Sequence, residues 1–391
     1  MLLSTAVRVV AGAVSVGLLV LVFLAGLIGE PSSAENIAPT FVLVIFWLGL
    51  VPVQVLLGDV WRILNPWLAV ADAVAWLWRA AGQEWSPPLR LPERLGVWPG
   101  ALFLFCFAAY ELVYTEPANP RALALAIALY SYAMWFGMAG FGRREWDERA
   151  NGFTVYFGLF ARITPFGQRE GRLVRRTPFT GLAGGDATPG LLAFLAVMLG
   201  SVGFDSVSRL TFWQGWSADL QRPYILDDPG KADAIGMGLG LAGLVGCVLL
   251  VAVLFLAAAR IAERTTDADR PLVPEFVQSL VPIALVYAIA HYVTLLLIQG
   301  QYGYQLASDP FGYGWDLFGT FDYAPNIQPF APNTVWYIQV AVLVVGHVAG
   351  LAIAHDRAVA ILPQRDALRS QYAMLALMVV YTVGGLWLLS Q

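Results

Sequence analysis

The stretch Val9–Gly29, VVAGAVSVGLLVLVFLAGLIG, carries no charge and no proline over its whole length. A helix rises 1.5 Å per residue, so crossing a hydrocarbon core of about 30 Å takes about 20 residues, and this stretch is long enough. Ile235–Ala259, IGMGLGLAGLVGCVLLVAVLFLAAA, is a second such run. The composition of the whole chain agrees. Of 391 residues 58% are hydrophobic and only 13% charged, with a mean hydropathy of +0.66, whereas a soluble domain carries about 25% charged residues. A soluble globular protein is excluded, and the chain reads as an all-α polytopic membrane protein.

Outward from these two runs, nine spans are expected at 7–29, 37–58, 97–115, 121–141, 188–204, 235–259, 276–299, 333–355 and 371–390. The fifth is short and the second is interrupted by Pro52. Cytoplasmic loops hold the excess of Lys and Arg. With the N-terminus inside, 19 of the 23 basic residues fall on the inner side, and Arg121, Arg209, Arg222 and Lys231 on the outer. The N-terminus is therefore placed inside and the C-terminus outside, in the inner membrane of a bacterial cell. Arg8 precedes an apolar run longer than the 7–15 residues of a signal peptide, so the first helix is read as retained. Trp61–Ala81 mixes tryptophans with arginines and an aspartate, as a helix lying in the membrane interface does. Gly152–Phe166 is too short to span and is open to interfacial and re-entrant readings. No linker, repeat or low-complexity tract divides residues 1–391, which are taken as one helical bundle. Cys106 and Cys247 both sit in apolar runs, giving no disulfide framework and no CxxC motif. No basic run suits nucleic acid; the partners expected are the lipid bilayer and other membrane subunits.

Ionisable groups at membrane depth are costly and are the first places to look for function. His291 lies eight residues from Gln299 and His347 twelve from Val335, about 12 and 18 Å below the outer ends of their spans. Neutral imidazoles suit zinc, copper and iron, so the pair reads as candidate metal ligands or, less directly, as axial ligands of a b-type haem. His355, Asp356 and Arg357 close the eighth span; they can cap it, or meet Asp59, Arg62 and Asn65. The outer loop Ser308–Tyr323, SDPFGYGWDLFGTFDY, interleaves Asp309, Asp316 and Asp322 with aromatics, and no cation lies between Gly300 and Pro332. Glu111 ends the third span, and Asp205 follows the fifth with Arg209 at i+4, a spacing at which ion pairs form. An outward-facing pocket gathering Glu111, Asp205, Arg209, Asp309, Asp316 and the deeper His291 is the expected catalytic site. No GxSxG, HExxH, P-loop or CxxCH motif is present.

Long strings in the chain resemble a known family: NIAPTFVLVIFWLGLVPVQVLLGDVWRILNPW (36–67), YFGLFARITPFGQREGRLVRR (156–176), LGSVGFDSVSR (199–209), SDPFGYGWDLFG (308–319) and VWYIQVAVLVVGHVAGLAIAHDRA (335–358). They are similar to the integral membrane proteins known as fenitrothion hydrolases. The resemblance implies hydrolysis of an organophosphorus triester by a membrane-bound enzyme. That chemistry would use a divalent ion such as zinc or manganese to polarise the phosphoryl oxygen and acidify a bound water, and His291, His347, Asp309 and Asp316 are the ligand types to hand. Two other classes stand beside this one: a non-catalytic subunit of a larger, redox-linked membrane complex, and a transporter of a cation or small solute.

Overall fold

The structure, a computed structural model, describes residues 5–169, 172–183 and 187–389. Thirteen principal helices form in chain order: α1 Thr5–Ile28, α2 Ile37–Leu57, α3 Pro66–Ala80, α4 Trp98–Leu112, α5 Pro120–Phe141, α6 Arg143–Ala150 and α7 Gly152–Ala161, then α8 Leu191–Ser208, α9 Thr211–Gln221, α10 Pro229–Arg264, α11 Leu280–Leu306, α12 Pro332–Ile361 and α13 Gln364–Leu389. Between α7 and α8 the strands β1 (Phe166–Arg169) and β2 (Arg172–Arg175) form an antiparallel hairpin. Among the described residues, nine helices are long and apolar enough to cross a membrane. The protein is an all-α polytopic membrane protein.

The helix starts are written in the sequence. Asn65, Asn119 and Asp228 each precede a proline at the first helical position and accept hydrogen bonds from backbone N–H groups of the first turn; Asn151 does the same before Gly152. A short polar side chain satisfies donors the helix cannot, and proline gives up an N–H that would have had no partner. Gly58 and Gly142, at φ 92° and 102°, end α2 and α5 in a conformation that side chains resist. The interruption at Pro52 takes an unexpected form. Pro52 lacks an N–H, and its ring opposes the carbonyl four residues earlier; the helix stays continuous but widens to π-helical turns over Phe41–Gly49.

Several boundaries move. The fifth span runs on to Ser208, so Asp205 lies within it, and the eighth continues six residues past His355 to Ile361. The ninth begins at Gln364, and its expected last residue, Ser390, lies outside the described residues. The segment 61–81 forms one turn at Trp61–Leu64 and then α3, with Trp67 buried and Trp76 and Trp78 exposed. Helix α7 is buried along nearly its whole length, which fits a helix held inside protein and not one lying on lipid.

The chain divides into two compact units, each assembled from three segments: Met1–Gly100, Glu116–Gly181 and Tyr292–Ala331 in the first, Ala101–Thr115, Leu182–His291 and Pro332–Gln391 in the second. In the first unit α1 approaches α3 at Gly12 and α5 at Gly26, where a Cβ would stand 2.6 Å from the Pro120 carbonyl oxygen. Helix α2 lays Phe46 on Phe153 and Phe157, and Trp47 on Tyr156. In the second unit α8 and α10 run antiparallel in close contact: a Cβ on Gly200 would lie 2.6 Å from Val248 Cα, and Gly243 is covered by Phe204 and Trp213. Tyr287 on α11 donates to the Tyr381 carbonyl, and Tyr381 donates to that of Val251 at 3.0 Å, tying α13 to α10.

Candidate functional site

Three of the expected site residues come together in the second unit. Asp205 stands on the last turn of α8, with Arg209 one turn on at the helix C-cap. His291 projects from α11, 86 residues away in sequence, and its Nε2 lies 2.6 Å from Asp205 Oδ2. Arg209 holds the other side of the carboxylate, with Nε at 3.2 Å and Nη2 at 3.0 Å from Oδ1. His291 Nδ1 is 3.4 Å from Ser206 Oγ. The side chains of Asp205 and His291 are only 8% and 11% exposed, whereas that of Arg209 is 69% exposed.

A buried carboxylate beside the C-terminal end of a helix meets the negative end of its dipole. Cationic and hydrogen-bonding partners are therefore required, and Arg209 and His291 supply them. The result is a half-buried imidazole oriented by a buried carboxylate, next to an exposed guanidinium. An imidazole whose Nε2–H is taken by a carboxylate presents Nδ1 as an acceptor, so the ring can receive a proton at that nitrogen while Asp205 stabilises the imidazolium.

The remaining expected residues lie elsewhere. Glu111 is half-buried one residue from the end of α4, in the same unit. Asp309 and Asp316 belong to the first unit, where both clamp their own loop. Asp309 accepts from the backbone N–H groups of Tyr313, Gly314 and Trp315, and Asp316 from that of Phe321. Ser308 and Thr320 close the same loop at 2.7 Å. His347 is buried against Tyr287; its Nδ1 contacts the Leu343 carbonyl at 2.8 Å, and its Nε2 has no hydrogen-bond partner among the described residues. The metal reading needs several donors on one point. Among the described residues no group of three or more His, Cys, Asp and Glu side chains stands where it could hold a metal ion, so this donor set does not fit zinc or manganese. Arg357 meets Glu275, with Nε at 2.6 Å from Oε2.

The sequence reading missed a polar centre in the first unit. Asp147 on α6 is 4% exposed, and its Oδ1 accepts from Asn65 Nδ2 (2.8 Å), Asn151 Nδ2 (2.9 Å) and Thr154 Oγ (3.0 Å). Those two asparagines are the caps of α3 and α7. One carboxylate thus orients two helix starts, inside a wall of Trp61, Trp67, Tyr130 and Phe153. Burial pushes the Asp147 carboxyl above the ordinary carboxylate range, against the three hydrogen bonds that favour its ion. The i,i+4 spacing of Asp147 and Asn151 was the available signal. No protein-family model, no curated protein and no solved structure matches this chain.

Proposed function

We propose that the chain is a membrane-embedded phosphoester hydrolase of the inner membrane, working from Asp205, His291 and Arg209 on the outer side that the arginine count assigns. The observation that carries this reading is the 2.6 Å contact between His291 Nε2 and Asp205 Oδ2, a buried carboxylate and a half-buried imidazole on separate spans. The organophosphorus triesters implied by the resemblance supply the substrate class.

His291 is the general base. With Nε2–H given to Asp205, Nδ1 takes a proton from a water near Ser206 as the water oxygen bonds to phosphorus. The bond from phosphorus to the leaving oxygen breaks, and that oxygen takes the proton from His291. Triester and water become diester and alcohol, with no other reactant. Arg209 faces the negative charge that grows on the phosphoryl oxygen, and Asp205 is a positioning residue that fixes the tautomer.

Purified chain in proteoliposomes tests this on diethyl p-nitrophenyl phosphate. A positioned base contributes about 10²–10⁴-fold, so His291→Asn should lower kcat by about 100-fold or more while the protein stays folded. Equal rates for wild type and His291→Asn would overturn the assignment.

A further inference from the structure

Helix α9 follows α8 across a break at Arg209–Leu210, where Leu210 turns to extended backbone at ψ 139°. It then runs antiparallel along α10. Trp213, near its start, covers Gly243, while Gln221 at its end reaches Gly236. Helices α8 and α9 therefore line α10 in succession, and the fifth span continues beyond its break. Trp213 packs on Phe204 and on Trp216, and Phe212, Trp216 and Leu220, at i, i+4 and i+8, form a stripe that is 63%, 50% and 42% exposed.

Arg209 lies three residues before Phe212, within about 11 Å along the chain. Its guanidinium uses Nε and Nη2 on Asp205, and the side chain is largely exposed. The other nearby cations are already engaged: Arg222 with Asp219 at 2.7 Å, and Lys231 over the Tyr224 ring at 3.8 Å. An apolar stripe with a tryptophan, continuous with two membrane spans and led by one exposed arginine, matches a phosphate-bearing amphiphile at the membrane interface.

We propose that Arg209 and the Phe212–Trp216–Leu220 face of α9 form a docking site for an anionic phospholipid-like molecule, with its phosphate on the guanidinium and its apolar body on the stripe. Resting on the hydrolase reading, this extends the substrate class from neutral triesters to a membrane-borne anionic phosphodiester, which the same step with water would split into a monoester and an alcohol.

The test uses the full chain in nanodiscs, with Trp216 fluorescence taken as the difference between wild type and Trp216→Phe. Brominated-chain phosphatidylglycerol should quench Trp216 about fivefold more effectively than brominated-chain phosphatidylcholine. Arg209→Gln should remove that preference but keep the quenching, and His291→Asn should keep both. Equal quenching by the two lipids in wild type would overturn the proposal, as would Trp216 quenched by aqueous acrylamide and by neither lipid. Loss of the preference on adding inorganic phosphate would identify a free-anion site and overturn the lipid assignment. If the preference holds while no phosphoester is hydrolysed, the docking site stands and the hydrolase reading falls.

Discussion

Replacing Asp147 with alanine should destabilise the first unit, and replacing it with asparagine should not. Alanine leaves Asn65 Nδ2, Asn151 Nδ2 and Thr154 Oγ without their shared acceptor, and each unsatisfied buried donor costs about 1–3 kcal/mol. Removing a desolvated carboxylate offsets part of this, and Asn65 keeps a 3.2 Å contact to Thr154 Oγ. A net loss of about 3 kcal/mol remains. For a unit of about 200 residues, that is about 6–12 °C in Tm. Asparagine keeps the Oδ1 acceptor, so Asp147→Asn should stay within about 1 kcal/mol of wild type at pH 7. The pH dependence follows from burial. The native carboxyl binds its proton more tightly than the unfolded one, so stability falls as pH rises from the ordinary carboxylate range through the raised native value, and is flat above it. Asp147→Asn should lose that slope. Thermal unfolding in mild detergent at fixed scan rate, across pH 4–8, is the assay. If asparagine proved as damaging as alanine at pH 7, the carboxylate charge would be what matters, and the shared-acceptor account would be wrong.

Gly200→Val puts a Cβ 2.6 Å from Val248 backbone and should cost about 3 kcal/mol through overpacking; Gly203→Ala, with open space around it, should melt as wild type does. Asp309→Leu removes the acceptor of three loop N–H groups, so hydrogen exchange should rise across residues 310–323 and stay unchanged in α12. Because the donor set does not fit a metal, exhaustive treatment with EDTA and 1,10-phenanthroline should leave phosphotriester turnover unchanged, and elemental analysis of the active sample should find less than one metal ion per chain.

Much of the fold is legible from local chemistry. Apolar runs such as Val9–Gly29 must be helices in a medium without water, since only a helix satisfies its own backbone there, and Asn-Pro and Asp-Pro mark the starts of α3, α5 and α10. The break after Arg209 is not legible. SRLTFWQGW contains no proline, and the helix ends where Arg209 turns back to Asp205, a contact sealed by His291 from another span. The same long-range term separates the good part of the site reading from the rest. The Asp205–Arg209 pair follows from i,i+4 spacing, whereas its contact with His291 depends on how α8 and α11 meet. Asp309 and Asp316 looked like ligands because the loop holds no cation, yet short loops rich in glycine leave backbone N–H groups that a carboxylate can satisfy. Asp147 was hidden in the charged run RREWDERA, where its i,i+4 spacing to Asn151 was the one local sign that separated it from a solvated acid.

The most direct test of the central claim is a double-mutant cycle on phosphotriester hydrolysis in proteoliposomes, with His291→Asn, Asp205→Asn and the pair together. Residues that act as one unit are strongly non-additive. If Asp205 works through His291, the double variant should be no slower than His291→Asn alone, and Asp205→Asn should lower kcat with little change in KM. Full additivity of the two effects, or wild-type turnover in either single variant, would contradict the account.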